Sequence, residues 1–269
     1  MAGPTDDVQL IPTGVRRIST DTEPDELVLP AETEQRLGWI ADWLVQPLPV
    51  FREWGLQRYI DGGLRAIFRG PPGTGKTMAV TALGRSTERP VLQVDPRAIV
   101  SKSIGETEKN LHQLFDVAAE QKAIILFDEA DALFGKRPHL KGAPDHHANE
   151  EIGHLLRRIE PYEGLAIVTS NAAGKLDEGI LSRIDLIVDF PLPDEAARAL
   201  LWRKILGTLK LPQGNDVDVE RLAGEFDFSG VEILRCARLA AMLAAGGDRP
   251  VDMNLLESAA AQRAAMRGS

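Results

Sequence analysis

The stretch Gly70-Pro71-Pro72-Gly73-Thr74-Gly75-Lys76-Thr77 decides how this chain is read. It follows a short apolar run, Ala66-Ile67-Phe68, and precedes a helix-compatible run, Met78-Ala79-Val80-Thr81-Ala82-Leu83. A glycine loop ending in Gly-Lys-Thr, set between a strand and a helix, has the composition of a phosphate cradle. Several backbone N–H groups must converge on the anion. A Cβ at positive φ would obstruct them, so Gly73 and Gly75 carry the turn. The following helix adds its unpaired N–H groups. Lys76 supplies a point charge to the β- and γ-phosphates of ATP, and the Thr77 hydroxyl is suited to Mg²⁺. Pro72, Thr74 and Met78 complete the nucleotide-binding stretch. The bland alternative, a solvated Gly/Pro turn with a surface lysine, does not account for the strand–loop–helix setting.

A chain of 269 residues can bury a sizeable core, and the length suits one medium domain with a smaller companion. Hydrophobic content of 43% and charged content of 26% are globular values. The net charge of -9 argues against a nucleic-acid partner, which calls for a basic face. A single cysteine, Cys236, allows no disulfide within the chain and fits a reducing compartment. Its setting in a helix interior reads as a buried, inert thiol. The first residues lack a basic region and an apolar core, so no signal peptide is expected. No apolar run approaches the length of a membrane span. A cytoplasmic protein is the expectation.

Outward from the loop, short apolar runs alternate with periodic ones. Strands are expected at Arg65–Arg69, Val91–Asp95, Ala123–Asp128, Leu165–Ser170 and Leu186–Phe190. Helices are expected from Thr77 to about Arg85, over Thr107–Gln121 and over Asn149–Arg158. The alternation predicts an α/β domain with a five-stranded parallel sheet core covered on both faces, and ligands beyond the carboxyl ends of the strands. Before it, residues 1–28 read as a tail or linker, and Pro30 to about Gln46 as a helix that Pro47 and Pro49 end. After Pro191-Leu192-Pro193 the chain is helical: Asp194–Leu209, Val219–Glu225, Ser229–Ala245 and Met253–Met266. The expected domains are thus 29–193 and a small all-helical lid, 194–269.

Three polar stretches stand where strands end. Ile124-Ile125-Leu126-Phe127-Asp128-Glu129 is an apolar run closing on two carboxylates. Asp128 fits the role of holding the Mg²⁺ shell, and Glu129 that of a base or orienting group for the attacking water. Asn171 closes another run; its neutral amide can bond both a γ-phosphate and a water, or can simply form a turn. Arg183 lies in Gly179-Ile180-Leu181-Ser182-Arg183-Ile184-Asp185. A guanidinium there suits a phosphoryl-transfer transition state, and equally a surface pair with Asp185.

Together these pieces resemble an AAA ATPase of the protein-remodelling type, over roughly residues 28–260. Gly70–Thr77 match the Walker A loop, Ile124–Glu129 the Walker B strand, and Asp131-Ala132-Leu133 with Arg137 the helix that follows. Asn171 matches sensor 1. Phe228-Ser229-Gly230-Val231-Glu232-Ile233 resembles the lid turn in which Gly230 stands near the adenine. The resemblance implies a P-loop fold of the AAA+ kind, Mg²⁺-dependent ATP hydrolysis, and a homo-oligomeric ring, normally a hexamer, acting on a protein client. Ser101–Asn110, Phe127–Arg137 and Phe190–Asp194 further resemble bacterial ATPases associated with contractile phage-tail-like injection systems.

The chain departs from that pattern twice. The first pore loop normally carries an aromatic; here Ser103 stands in Lys102-Ser103-Ile104-Gly105, and a serine lacks the area and rigidity to grip an extended chain. Of the two arginines normally found near the end of the sheet, Ser182 stands at the first and Arg183 matches the second, which makes Arg183 the arginine-finger candidate. An alternative reading is therefore a non-processive ATP-binding switch or assembly scaffold. A DNA-acting module is a third, disfavoured by the acidic charge. His139, His146 and His147 lie where the second pore loop would run. With Pro144 and Gly142 between them they read as an exposed loop rather than a zinc site.

Overall fold

The computed structural model describes residues 12, 14–45, 53–55, 63–95, 106–128 (backbone alone for 106–108), 159–160, 162–171, 182–208, 212, 214–247 and 249–267. They fall into two compact units. One gathers the described residues of Met1–Pro24, Thr33–Arg69 and Lys76–Asp189, the other those of Asp25–Glu32, Gly70–Gly75 and Phe190–Ser269.

The first unit is built on a sheet of six strands: β1 (Val15–Ile18), β2 (Leu64–Arg69), β3 (Val91–Val94), β4 (Ile124–Phe127), β5 (Leu165–Ser170) and β6 (Leu186–Asp189). Their order is β1-β3-β4-β5-β2-β6. The strands from β3 to β6 run parallel. Every residue of β3, β4 and β5 is buried, which explains their near-continuous apolar sequence. All five expected strands are present within a residue of their expected bounds at each end. The sheet nevertheless has a sixth strand. Residues 15–18, read as tail, pair antiparallel with β3 in the register Arg16↔Gln93. Their Val-Arg-Arg-Ile pattern shows no period because this is a four-residue edge strand, with its two arginines exposed and its apolar residues half-buried.

Helices α1 (Ala31–Val45), α2 (Lys76–Ser86) and α3 (Glu106–Gln121) accompany the sheet. Thr33 Oγ1 donates to the Asp189 carbonyl at 2.7 Å, and Arg36 donates to the carbonyl of Ile187, so α1 is tied to β6. Leu111, Leu114, Phe115 and Ala118 of α3 pack into the cluster with Leu92, Ile125, Phe127 and Val168. Tyr162 closes that cluster, its ring 5.8 Å from Phe115 and its hydroxyl donating to the Ala123 carbonyl. Burial pushes that hydroxyl's pKa up.

The second unit is helical: α4 (Glu195–Thr208), α5 (Val219–Glu225), α6 (Gly230–Gly246) and α7 (Met253–Ala265). Each start is capped. Asp194 accepts from the Ala197 N–H at 2.8 Å, Asp218 from Arg221 at 3.0 Å and Asp252 from Leu255 at 2.9 Å. At α6, Glu232 reaches back to the Ser229 N–H at 2.9 Å. Cys236 is buried here, and burial pushes its thiol pKa up to about 11, so it stays protonated.

Trp202 is fully buried at the centre of this bundle, among Leu222, Phe228, Ile233 and Leu256. Trp202→Ala is expected to cost about 3–5 kcal/mol in urea unfolding, because the helices cannot close over so large a void. Trp202→Phe should cost far less, since it also removes an indole N–H without a hydrogen-bond partner. Equal losses from the two variants would show that cavity volume is not what the tryptophan contributes.

Candidate active site

Strand β2, paired on both sides, delivers the chain to Gly70. The loop that follows turns at Gly73 (φ 80°) and Gly75 (φ 99°), and α2 begins at Lys76. Thr74 Oγ1 donates to the Pro71 carbonyl at 2.9 Å and braces the turn. The glycine at 73 is required on two counts. Its φ is left-handed, and a Cβ there would lie 2.8 Å from Ser229 Oγ and 3.1 Å from Val231 Cβ. The Gly73 carbonyl accepts from the Val231 N–H at 3.3 Å, on the first turn of α6 that Gly230 opens. Within the second unit the loop and the Ser229-Gly230-Val231 turn are therefore one piece of structure. Pro72 and Met78 are exposed.

In the first unit, Lys76 is buried, as an ammonium can be only when polar partners surround it. Thr77 Oγ1 lies 3.3 Å from each carboxylate oxygen of Asp128, the residue that follows β4. Strand order explains the meeting. Strand β4 lies two places from β2, across β5, and both run the same way, so their carboxyl ends share one edge. Asp128 receives two further donors: Thr169 Oγ1 of β5 at 2.6 Å to Oδ1, and Gln93 Nε2 of β3 to Oδ2. A hydroxyl and a carboxylate side by side are hard oxygen donors of the kind Mg²⁺ takes, so the residues present fit that ion. Asn171 follows β5 directly and is half-buried.

Arg183 is exposed on the turn before β6, its Nε donating to Glu160 Oε1 at 2.5 Å. The surface pair with Asp185 weighed from the sequence is arranged otherwise: Asp185 is bonded by Arg65 Nε at 3.0 Å. Glu129, Ser103, Arg137 and the three histidines lie outside the described residues. Among the described residues, no three or more His, Cys, Asp or Glu side chains gather into a group that could hold a metal. No helix among them is long and apolar enough to cross a membrane.

The sequence reading passed over Gln93 and Thr169. The signal was present in both. Gln93 is the one polar residue of Val91-Leu92-Gln93-Val94, and Thr169 interrupts the apolar run of β5.

Residues 66–192 match the model of the ATPase family associated with various cellular activities (AAA). That stretch is an AAA domain. The AAA match covers all of β2 to β6 except the first two residues of β2, and so includes the loop, Asp128 and Asn171. Among its relatives, proteasome-activating nucleotidase 1 of Haloferax volcanii is 31% identical over 227 residues, 80% of this chain and 54% of that protein. A 26S proteasome subunit of Saccharomyces cerevisiae is 31% identical over 191 residues, 68% of this chain and 43% of that protein. The human ATPase family gene 2 protein homolog A is 32% identical over 219 residues, 76% of this chain and 24% of that protein. The chain thus spans about half, or less, of the length of these relatives. Two of the three are named for the proteasome and one for an ATPase family, and none is named for an injection system.

Proposed function

We propose that this AAA chain is a Mg²⁺-dependent ATPase that works as a homo-oligomeric ring, a hexamer, to remodel a protein client. The observation that carries the reading is the Thr77 hydroxyl set against the Asp128 carboxylate at the end of the glycine loop. Thr77 and Asp128 would hold Mg²⁺ there, and the bound ion would supply charge neutralisation for the phosphates. Pro72–Met78 line the phosphates, with Lys76 contributing charge and the loop glycines contributing N–H groups. Gly230 stands toward the adenine. Glu129 takes a proton from the attacking water, and Asn171 orients that water against the γ-phosphate. Arg183 reaches the nucleotide of a neighbouring subunit. Residues 29–193 form the catalytic domain and 194–269 its lid, in the cytoplasm. Similarity to a proteasome-activating nucleotidase and a 26S proteasome subunit supports the remodelling branch, and the phrases around Ser101–Asn110 and Phe127–Arg137 support a link to contractile injection systems. Ser103 supports a second reading, a non-processive switch that resets on hydrolysis without drawing a chain through.

The deciding experiment measures ATP turnover against protein concentration, with particle mass determined in the same buffers. Specific activity rising as a ring of about six subunits forms supports the ring ATPase. Flat activity from a monomer favours the switch, and no turnover at any concentration overturns the ATPase reading. ATP-dependent unfolding of a tagged substrate would exclude the switch.

A further inference from the structure

The Asp128 carboxylate is held from a direction that phosphate binding does not itself require. Arg16, on the antiparallel edge strand β1, donates from Nε to Gln93 Oε1 at 2.6 Å. The two residues are direct partners in the β1–β3 register. Gln93 in turn donates from Nε2 to Asp128 Oδ2. Gln93 is buried, 8% exposed, in a strand whose other three residues are apolar. Chemistry alone orients this amide. A guanidinium only donates and a carboxylate only accepts, so the amide oxygen faces Arg16 and the nitrogen faces Asp128. The flipped amide would set like against like on both sides. Arg16 therefore locks Gln93 in the orientation that presents a donor to Asp128. With Thr169 on Oδ1, each carboxylate oxygen is directed by a donor from a neighbouring strand.

We propose that Gln93 and Arg16 are positioning residues for the metal-holding carboxylate, so that strand β1 sets the Mg²⁺ dependence of nucleotide binding. The proposal rests on the nucleotide-site reading above. Donors to a metal-holding group fix its rotamer and charge distribution, and losing one commonly weakens metal affinity by about 10–100-fold. A residue of the edge strand, outside the span that matches the family model, thereby acts on the site through one buried amide.

The test uses the full chain as wild type, Gln93→Met, Arg16→Gln and Arg16→Lys. Methionine keeps the volume of glutamine and removes both of its hydrogen-bonding groups. Affinity for a fluorescent ATP analogue is measured in EDTA and then across a Mg²⁺ titration, with thermal unfolding as a control. Gln93→Met is expected to raise the half-saturating Mg²⁺ concentration by about 10-fold while leaving affinity in EDTA unchanged. Arg16→Gln should raise it less, and Arg16→Lys, which keeps a charged donor, should restore it. An unchanged half-saturation in both Gln93→Met and Arg16→Gln overturns the proposal. So does a parallel loss of affinity with and without the metal. Should Gln93→Met fail to fold, the two Arg16 variants decide the question alone. If the wild type itself bound the analogue with no dependence on Mg²⁺, the nucleotide-site reading would fall first, and this proposal with it.

Discussion

Arg183→Ala is expected to lower ATP turnover of the assembled protein by roughly 10³–10⁵ while leaving nucleotide affinity and ring mass unchanged. The guanidinium sits at the surface, on the turn entering β6, bonded to the half-exposed Glu160. An exposed pair of this kind is worth about 0–1 kcal/mol, because water competes for both charges. On the proposed ring reading, this weak pair would give way to a phosphoryl group on a neighbouring subunit, where charge is greater and water scarcer. Transition-state stabilisation across an interface also requires the interface, so dilution of the wild type should reproduce part of the defect. Turnover of the variant within about threefold of wild type, at concentrations where the ring has formed, would show that Arg183 is a surface residue paired with Glu160 and nothing more.

Glu129→Gln is expected to reduce turnover by about 10²–10⁴ and to preserve ATP binding. Glu129 follows Asp128 directly, and Asp128 is held by Thr77, Gln93 and Thr169. The amide has the size of the carboxylate and cannot take a proton from water, so binding and chemistry separate. Single-turnover hydrolysis beside equilibrium binding is the measurement, and normal hydrolysis by the variant would remove Glu129 from its assigned role. The two variants fail differently. Glu129→Gln should be inactive at every concentration, whereas the Arg183→Ala defect exists only relative to an assembled wild type.

Much of the site was legible because its chemistry is local. A phosphate cradle needs glycines, a lysine and a hydroxyl within one turn of chain, and Gly70–Thr77 holds them all. The parallel strands were legible because burial on both faces removes the alternation that would otherwise disguise them, as in Leu165–Ser170. Strand β1 was not. Four residues carry too little periodicity to register, and its pairing with β3 joins positions 77 or so residues apart in the chain. The exchange of ion-pair partners was equally hidden. Arg183 and Asp185 are near in sequence, but Asp185 faces β2, where it meets Arg65, while Arg183 meets Glu160.

What the sequence by itself determined is the set of reactive groups and the order of elements that present them. Both follow from short-range rules: which residues admit a positive φ, which runs must be buried, and where an unpaired helix end meets an anion. Only the tertiary structure decided which groups stand together around Asp128. Thr77, Gln93 and Thr169 come from a helix and two strands that the order β3-β4-β5-β2 brings to one edge of the sheet. Hydrogen bonds reach about 3 Å regardless of separation along the chain, so the partners of a buried carboxylate are set by strand order and register, which no single stretch of sequence contains.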